Sequence, residues 1–150
     1  MKKYVLSGLV AMALAMAIPA PGYSQMTYGV QANIPFEFAV SGKVLPGGEY
    51  VVRQDISKFL TIQSRDGGNG VLALSNSAQS KTPREEATLV FDRVGDHYFL
   101  AQIWEPGSDT GVQIPRSKME SELIKRTLAR SQGREHQPGL ELVYVTGRAL

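Results

Sequence analysis

Few residues in this sequence have a type and spacing that could do chemistry, and the most suggestive are Asp109-Thr110-Gly111. The same tripeptide carries the reactive carboxyl of aspartic proteases, where two aspartates share one proton. In those enzymes the tripeptide follows an apolar strand and meets a second copy. Here it follows Pro106-Gly107-Ser108, which is typical of a turn. We therefore predict a loop without a catalytic role.

The two histidines offer a second candidate chemistry. His97 follows Asp96, which suggests an acid–base pair, but adjacent residues of a strand point to opposite faces of the sheet. His136 lies in a polar stretch, and the chain has no cysteine. Because a zinc site needs three or four convergent ligands, we predict no metal site. No cofactor is predicted either.

Acidic residues provide two further possibilities. Glu85 and Glu86 follow Arg84 and could hold a cation, but the oxygen-rich loop typical of calcium sites is absent from the sequence. We predict an exposed charged loop there. A hydrolytic site assembled from distant carboxylates would leave no local signature, so that alternative stays open. The carboxylates considered for it are Glu37, Glu49, Asp92 and Glu105.

Aromatic residues give the only candidate interaction surface. Tyr98, Phe99 and Trp104 share one predicted strand, and strict alternation would place Tyr98 and Trp104 on one face and Phe99 on the other. An aromatic face can bind a sugar or a peptide. Large aromatic side chains more often fill a core, so a buried position for the pair is the competing interpretation.

The first 24 residues predict export. Lys2 and Lys3 precede an apolar run from Val5 to Ile18, the pattern of a secretory signal peptide. The run is too short for a permanent membrane span, which needs about 20 apolar residues. Gly22 and Ser24 suit a signal peptidase, so we expect cleavage between Ser24 and Gln25 and a periplasmic or secreted protein.

Charge and composition exclude several classes of partner. Without Lys2 and Lys3 the 16 basic residues become 14, equal to the 14 acidic residues. A neutral mature chain gives no support to nucleic-acid binding, and no stable membrane span is expected after removal of the signal. Residues 25–150 suit one domain that folds around its own core, without disulfides because cysteine is absent.

Hydrophobic periodicity predicts a chain of short strands over about residues 28–105. The clearest alternation runs from Val30 to Val40, and Pro35 suggests an edge or a bulge within it. The stretch from Asn76 to Glu86 is polar and is predicted to be a loop. The other predicted strands are Glu49–Gln54, Phe59–Ser64, Val71–Ser75, Ala87–Arg93 and His97–Glu105, with a short tail strand over about residues 140–146.

The period then changes to that of a helix over about residues 117–131. Ser117 and Glu120 have the spacing of a capping box. The apolar residues at helical spacing are predicted to pack on the domain. They are Met119, Leu123, Ile124 and Leu128.

These elements predict a mainly β fold. We expect an antiparallel meander of six or seven strands that forms a sandwich or a partly open barrel, with one C-terminal amphipathic helix. The helix or the last strand would cover an edge of the sheet.

Several segments together resemble a group of small exported bacterial proteins, of the kind common in acidobacterial-type genomes, that have no assigned function. The resemblance spans roughly residues 28–130 and is marked by Ile34–Phe38, Gly42-Lys43, Leu45–Tyr50, Gly95–Leu100, Ile103-Trp104 and Pro115–Lys118. It implies an exported protein of one domain. It brings no catalytic or ligand-binding residues to this chain.

The function expected from the sequence is that of a non-catalytic binding or interaction module of the cell envelope. Its expected partner is an envelope component of unknown identity. Two alternatives remain: a small barrel that holds an apolar ligand in its interior, and a hydrolase built from the dispersed carboxylates.

Overall fold

The computed structural model describes residues 28–54, 58–131 and 140–150. The predicted signal peptide and its cleavage point lie outside these residues. The strands are β1 Tyr28–Ile34, β2 Phe38–Val40, β3 Lys43–Leu45, β4 Gly48–Gln54, β5 Phe59–Ser64, β6 Gly70–Leu74, β7 Asn76–Gln79, β8 Ala87–Val94, β9 His97–Trp104, β10 Thr110–Gln113 and β11 Glu141–Ala149, and the helix α1 is Lys118–Ser131.

The strands form one sheet that curls into a nearly closed barrel, and every pairing in it is antiparallel except that of β2 with β9, which is parallel. The predicted mainly β fold with one helix is confirmed. The main path of the sheet is β3-β2-β9-β8-β11-β1-β4-β5-β6. From β6 the chain continues through Ser75 into β7, which pairs with β10, and β10 pairs with β9. This bent connection links β6, at one end of the sheet, to β9, the third strand from the other end. Lys43 on β3 also donates a hydrogen bond from Nζ to the carbonyl of Gly70 on β6, at 2.7 Å.

The alternation of apolar and polar residues along the strands determines which side chains lie inside the barrel. Val30, Ala32 and Ile34 of β1 are buried, and Val30 and Ala32 lie opposite Val52 and Tyr50 of β4. Pro35 ends β1, because it lacks the N–H that a ladder requires, and β2 starts three residues later. Within the described ranges the interior holds 18 buried apolar side chains, three of them the large rings of Phe38, Tyr50 and Phe91.

The helix packs on the outside of the barrel at β8. Ser117 caps it, since its Oγ accepts the backbone N–H of Glu120 at 3.1 Å. Leu123 and Ile124 pack on a small outer cluster of Ala39, Val94 and Phe99. The prediction that Met119 and Leu128 also lie in the buried face is wrong, because their side chains are 43% and 52% exposed.

The described residues form eleven strands rather than the six or seven predicted, because three short strands were missed and the single strand predicted from Val30 to Val40 is divided into β1 and β2. Residues 76–79, predicted to be loop, form β7, and the stretch around Asp109-Thr110-Gly111 contains β10. The third, β3, lies in the short stretch between β2 and β4. The tail strand β11 is longer than predicted and pairs with both β8 and β1.

Candidate functional site

Tyr98 and Trp104 do not form one surface, contrary to the sequence-based expectation. Phe91 pairs with Leu100 while Val90 pairs with Gln102, so Ala101 is the extra residue of a β-bulge. A bulge shifts the alternation of side chains by one residue. Tyr98 consequently packs with the barrel core, whereas Trp104 follows the interior residue Ile103 and faces outward.

Trp104 is covered on the outside of the barrel and is only 3% exposed. The guanidinium of Arg84 lies 5.5 Å from the centre of its ring and 5.2 Å from that of Tyr144. The indole Nε1 donates to Oε1 of Gln102 at 3.1 Å. The loop before β8 therefore uses Arg84 as a cation–π cover for the tryptophan, which gives Trp104 a packing role.

The tripeptide Asp109-Thr110-Gly111 also has a structural role. Thr110 and Gly111 belong to β10, and Asp109 is exposed ahead of it. A Cβ atom on Gly111 would lie 2.5 Å from Cε3 of Trp104 and 2.7 Å from the carbonyl oxygen of Ile103. The glycine thus permits β10 to approach β9 across the tryptophan ring.

The candidate cation ligands do not converge. Within residues 28–54, 58–131 and 140–150, no three His, Asp or Glu side chains are grouped so that they could hold a metal ion. Glu85 and Glu86 are exposed in the loop before β8. Asp96 and His97 are exposed at the turn between β8 and β9, where the ring of His97 lies 6.5 Å from that of Phe99.

The four dispersed carboxylates lie at separate places on the barrel. Glu49 pairs with Arg65 at 3.0 Å, and this hydrogen bond from Arg65 is the main cause that lowers the pKa of Glu49. Glu105 accepts the backbone N–H of Gly29 at 3.1 Å. Asp92 lies beneath α1, and Glu37 is exposed in the connection between β1 and β2.

A carboxyl pair that the sequence analysis missed lies under the first turn of α1. Asp92 of β8 and Glu120 of α1 are each 5% exposed and hydrogen-bond to one another. Arg116 contacts both, with Nη2 3.3 Å from Oδ2 of Asp92 and Nε 3.6 Å from Oε1 of Glu120. The backbone N–H of Ser117 acts to lower the pKa of Glu120, as the spacing of a capping box predicts.

The electrostatics of this cluster favour a proton on Glu120. Burial and, to a lesser extent, the negative charge of Asp92 together raise the pKa of Glu120 to about 7, against the opposing effect of Arg116. The only sequence signal was the capping-box spacing of Ser117 and Glu120. That spacing does not indicate that the glutamate is buried against another carboxyl.

An open cleft lies where β2, β3, the start of β9 and the start of α1 meet. Its volume is about 350 Å³, at the lower end of the range for small-ligand sites, roughly 300–1,000 Å³. The floor includes Tyr98, whose ring stacks on Phe36 with centroids 4.0 Å apart. The lining residues are Phe36, Glu37, Phe38, Ala39, Val44, Asp96, His97, Tyr98, Phe99 and Met119.

Apolar side chains stand exposed at the mouth of this cleft. Val44 of β3 is 51% exposed and Met119 of α1 is 43% exposed. Glu37 and Asp96 are acidic, and neither forms an ion pair with a described residue. The cleft therefore combines apolar contact area with negative charge.

Comparison of the chain with protein-family models, with curated proteins and with solved structures finds no match. In the described part of the chain, no helix has the length and apolar character needed to cross a membrane.

Proposed function

We propose that this protein is an exported, non-catalytic binding module of the cell envelope, and that it binds a partner peptide at the cleft between β2, β9 and α1. The observation that carries the proposal is the exposure of Val44 and Met119 beside a preformed aromatic floor. Exposed apolar groups around a concave site are typical of a binding surface. The signal-like pattern of residues 1–24 supports the export half of the proposal.

The charge of the cleft defines the partner sequence that fits it best. Glu37 and Asp96 would attract a cationic group placed next to the apolar contact. We therefore expect an extended segment with an aromatic or aliphatic side chain followed by lysine or arginine. The apolar side chain would contact Phe36, Tyr98 and Met119.

The two alternative functions have less support from the described residues. The barrel interior is occupied by the rings of Phe38, Tyr50 and Phe91 and their neighbours, which leaves interior binding of an apolar ligand without an observed space. Glu49, Asp92 and Glu105 have structural partners at separate places. A dispersed hydrolytic site is accordingly unsupported.

The test is titration with two blocked dipeptides, acetyl-Phe-Lys-amide and acetyl-Phe-Glu-amide, followed by methyl NMR of Met119 and Val44. The lysine peptide should shift both methyl signals and saturate, and the glutamate peptide should bind at least about fivefold more weakly because of Glu37 and Asp96. Absence of any shift at these methyl groups would refute the proposed site.

A pair of variants on one helix provides the matched control. Met119→Ser removes an apolar contact at the cleft and should weaken binding of the lysine peptide several-fold, as read from the Val44 signal. Leu128→Ser removes a similarly exposed apolar residue nine positions later in the chain, and it should leave binding unchanged. Equal effects of the two variants would count against the cleft.

A further inference from the structure

The buried Asp92–Glu120 pair lies between the barrel and the helix that forms one wall of the cleft. Glu120 is adjacent in sequence to Met119, which lines the cleft, and Phe99 belongs both to the cleft and to the cluster beneath the helix. A change in how the first turn of α1 sits on β8 would therefore reach the cleft directly.

The charged groups around Glu120 are few. Asp92 faces it from β8, and Arg116 faces it from the segment before the helix. The other elements packed here contribute apolar residues, Ala39 from β2 and Phe99 from β9. One guanidinium thus faces two buried carboxyl groups.

This arrangement accommodates one negative charge better than two. With a proton on Glu120, the two carboxyl groups hydrogen-bond and Arg116 balances Asp92. Without that proton, the cluster carries one excess negative charge on side chains that are only 5% exposed. A buried charge without a partner is strongly unfavourable. Beside this cluster, the half-buried Leu123 and Ile124 pack on the barrel.

We propose that a proton shared by Asp92 and Glu120 controls the packing of α1 on the barrel, so that the helix packs firmly at acidic pH and less firmly at alkaline pH. We propose as a second part that Met119 transmits this change to the cleft. The second part rests on the proposed function. The pKa of Glu120, which burial raises to about 7, places the transition close to neutral pH.

Hydrogen exchange of the purified protein at pH 6 and pH 8.5, corrected for the intrinsic pH dependence of exchange, tests the first part. Protection of the amides in residues 121–131 should fall about tenfold or more at the higher pH, while protection in β5 should stay constant. Constant protection of the helix at both pH values would overturn the proposal.

Two substitutions on the same helix separate the shared proton from general charge effects. Glu120→Gln keeps the shape and can donate to Asp92 but cannot ionise, so its helix should be equally protected at both pH values. Glu122→Gln removes an exposed carboxylate and should behave like the wild type. If the Glu120→Gln protein does not fold, a ¹³C titration of wild-type Glu120 decides, because a midpoint near 4.5 would overturn the proposal.

Peptide titration at the same two pH values tests the link to the cleft. The acetyl-Phe-Lys-amide peptide should bind more weakly at pH 8.5 to the wild type and equally at both pH values to Glu120→Gln. A pH-dependent helix with pH-independent peptide affinity would overturn the transmission through Met119. A pH-dependent helix with no peptide binding at either pH would refute the proposed function and leave the proton-controlled helix standing.

Discussion

Substitution of Gly111 by alanine tests the contact between β10 and β9 that closes the barrel. The added Cβ would lie 2.5 Å from Cε3 of Trp104 and 2.7 Å from the carbonyl oxygen of Ile103. The tryptophan ring cannot move away freely, because the Arg84 guanidinium lies against it. The carbonyl oxygen can move only with the β9 backbone, so β10 must shift outward.

The expected cost follows from this lack of room. Overpacking in a well-packed region costs about 1–3 kcal/mol, and two fixed obstacles place Gly111→Ala near the upper end. In a domain of this size a loss of about 3 kcal/mol should lower the melting temperature by about 10 °C. Because total stabilities are about 5–15 kcal/mol, the variant should still fold.

The assay uses the single tryptophan of the chain as a local probe. Urea unfolding followed by Trp104 fluorescence and by circular dichroism should show a lower midpoint with an unchanged slope. The folded variant should emit at longer wavelength, because a displaced indole meets more solvent.

The matched control is Gly68→Ala. Its Cβ would meet nothing closer than the Asp66 side chain, at 3.4 Å, and surface substitutions of this kind change stability by about 0.5 kcal/mol or less. Equal stability of the two variants would refute the close approach of β10 to Trp104.

Three further predictions concern other parts of the chain. Folding raises the pKa of Glu120 from 4.5 to about 7, so the contribution of this group to stability is complete below pH 4.5 and is lost as the pH rises through 7. At about 1.4 kcal/mol per pKa unit, urea unfolding should show that the wild type loses about 3 kcal/mol relative to Glu120→Gln over that interval. Parallel stability curves for the two proteins would contradict this. Ser117→Ala should cost about 1 kcal/mol through loss of the helix cap. Leu123→Ala should cost a similar amount rather than the 2–5 kcal/mol typical of a fully buried leucine, because this side chain is only half-buried. Lys125→Ala should cost almost nothing, and equal unfolding free energies for Leu123→Ala and Lys125→Ala would reject the described helix packing. Amino-terminal sequencing of the exported protein should begin at Gln25, and an intact Met1 on the exported protein would refute cleavage of a signal peptide.

The strands that the sequence predicted well are those in which alternation of apolar residues and burial coincide. The predicted bounds of β5, Phe59–Ser64, agree with the structure, and its alternate residues Leu60 and Ile62 are buried. In contrast, β7 carries mainly exposed residues and has no apolar period. It is a strand because β10 pairs with it, and such long-range pairing leaves no trace in local sequence.

The candidate site depended on features that local patterns do not encode. One extra residue, Ala101, places Tyr98 and Trp104 on opposite sides of the sheet, and a bulge of this kind cannot be read from strict alternation. Glu120 was predicted only as part of a helix cap. Its interaction with Asp92 joins two elements through residues 28 positions apart in the sequence.

The position of β11 has a consequence for the order of folding. Strand β11 pairs with β8 on one side and β1 on the other, and residues 149 and 30 lie opposite each other in the register. Contacts between residues so distant in sequence form late in folding, since a long loop must first be ordered. Until residues 141–149 are available, β1 and β8 both present unpaired edges, which are sites of aggregation. A growing chain therefore cannot complete its barrel early, and a factor that shields these two edges would protect it most during that interval.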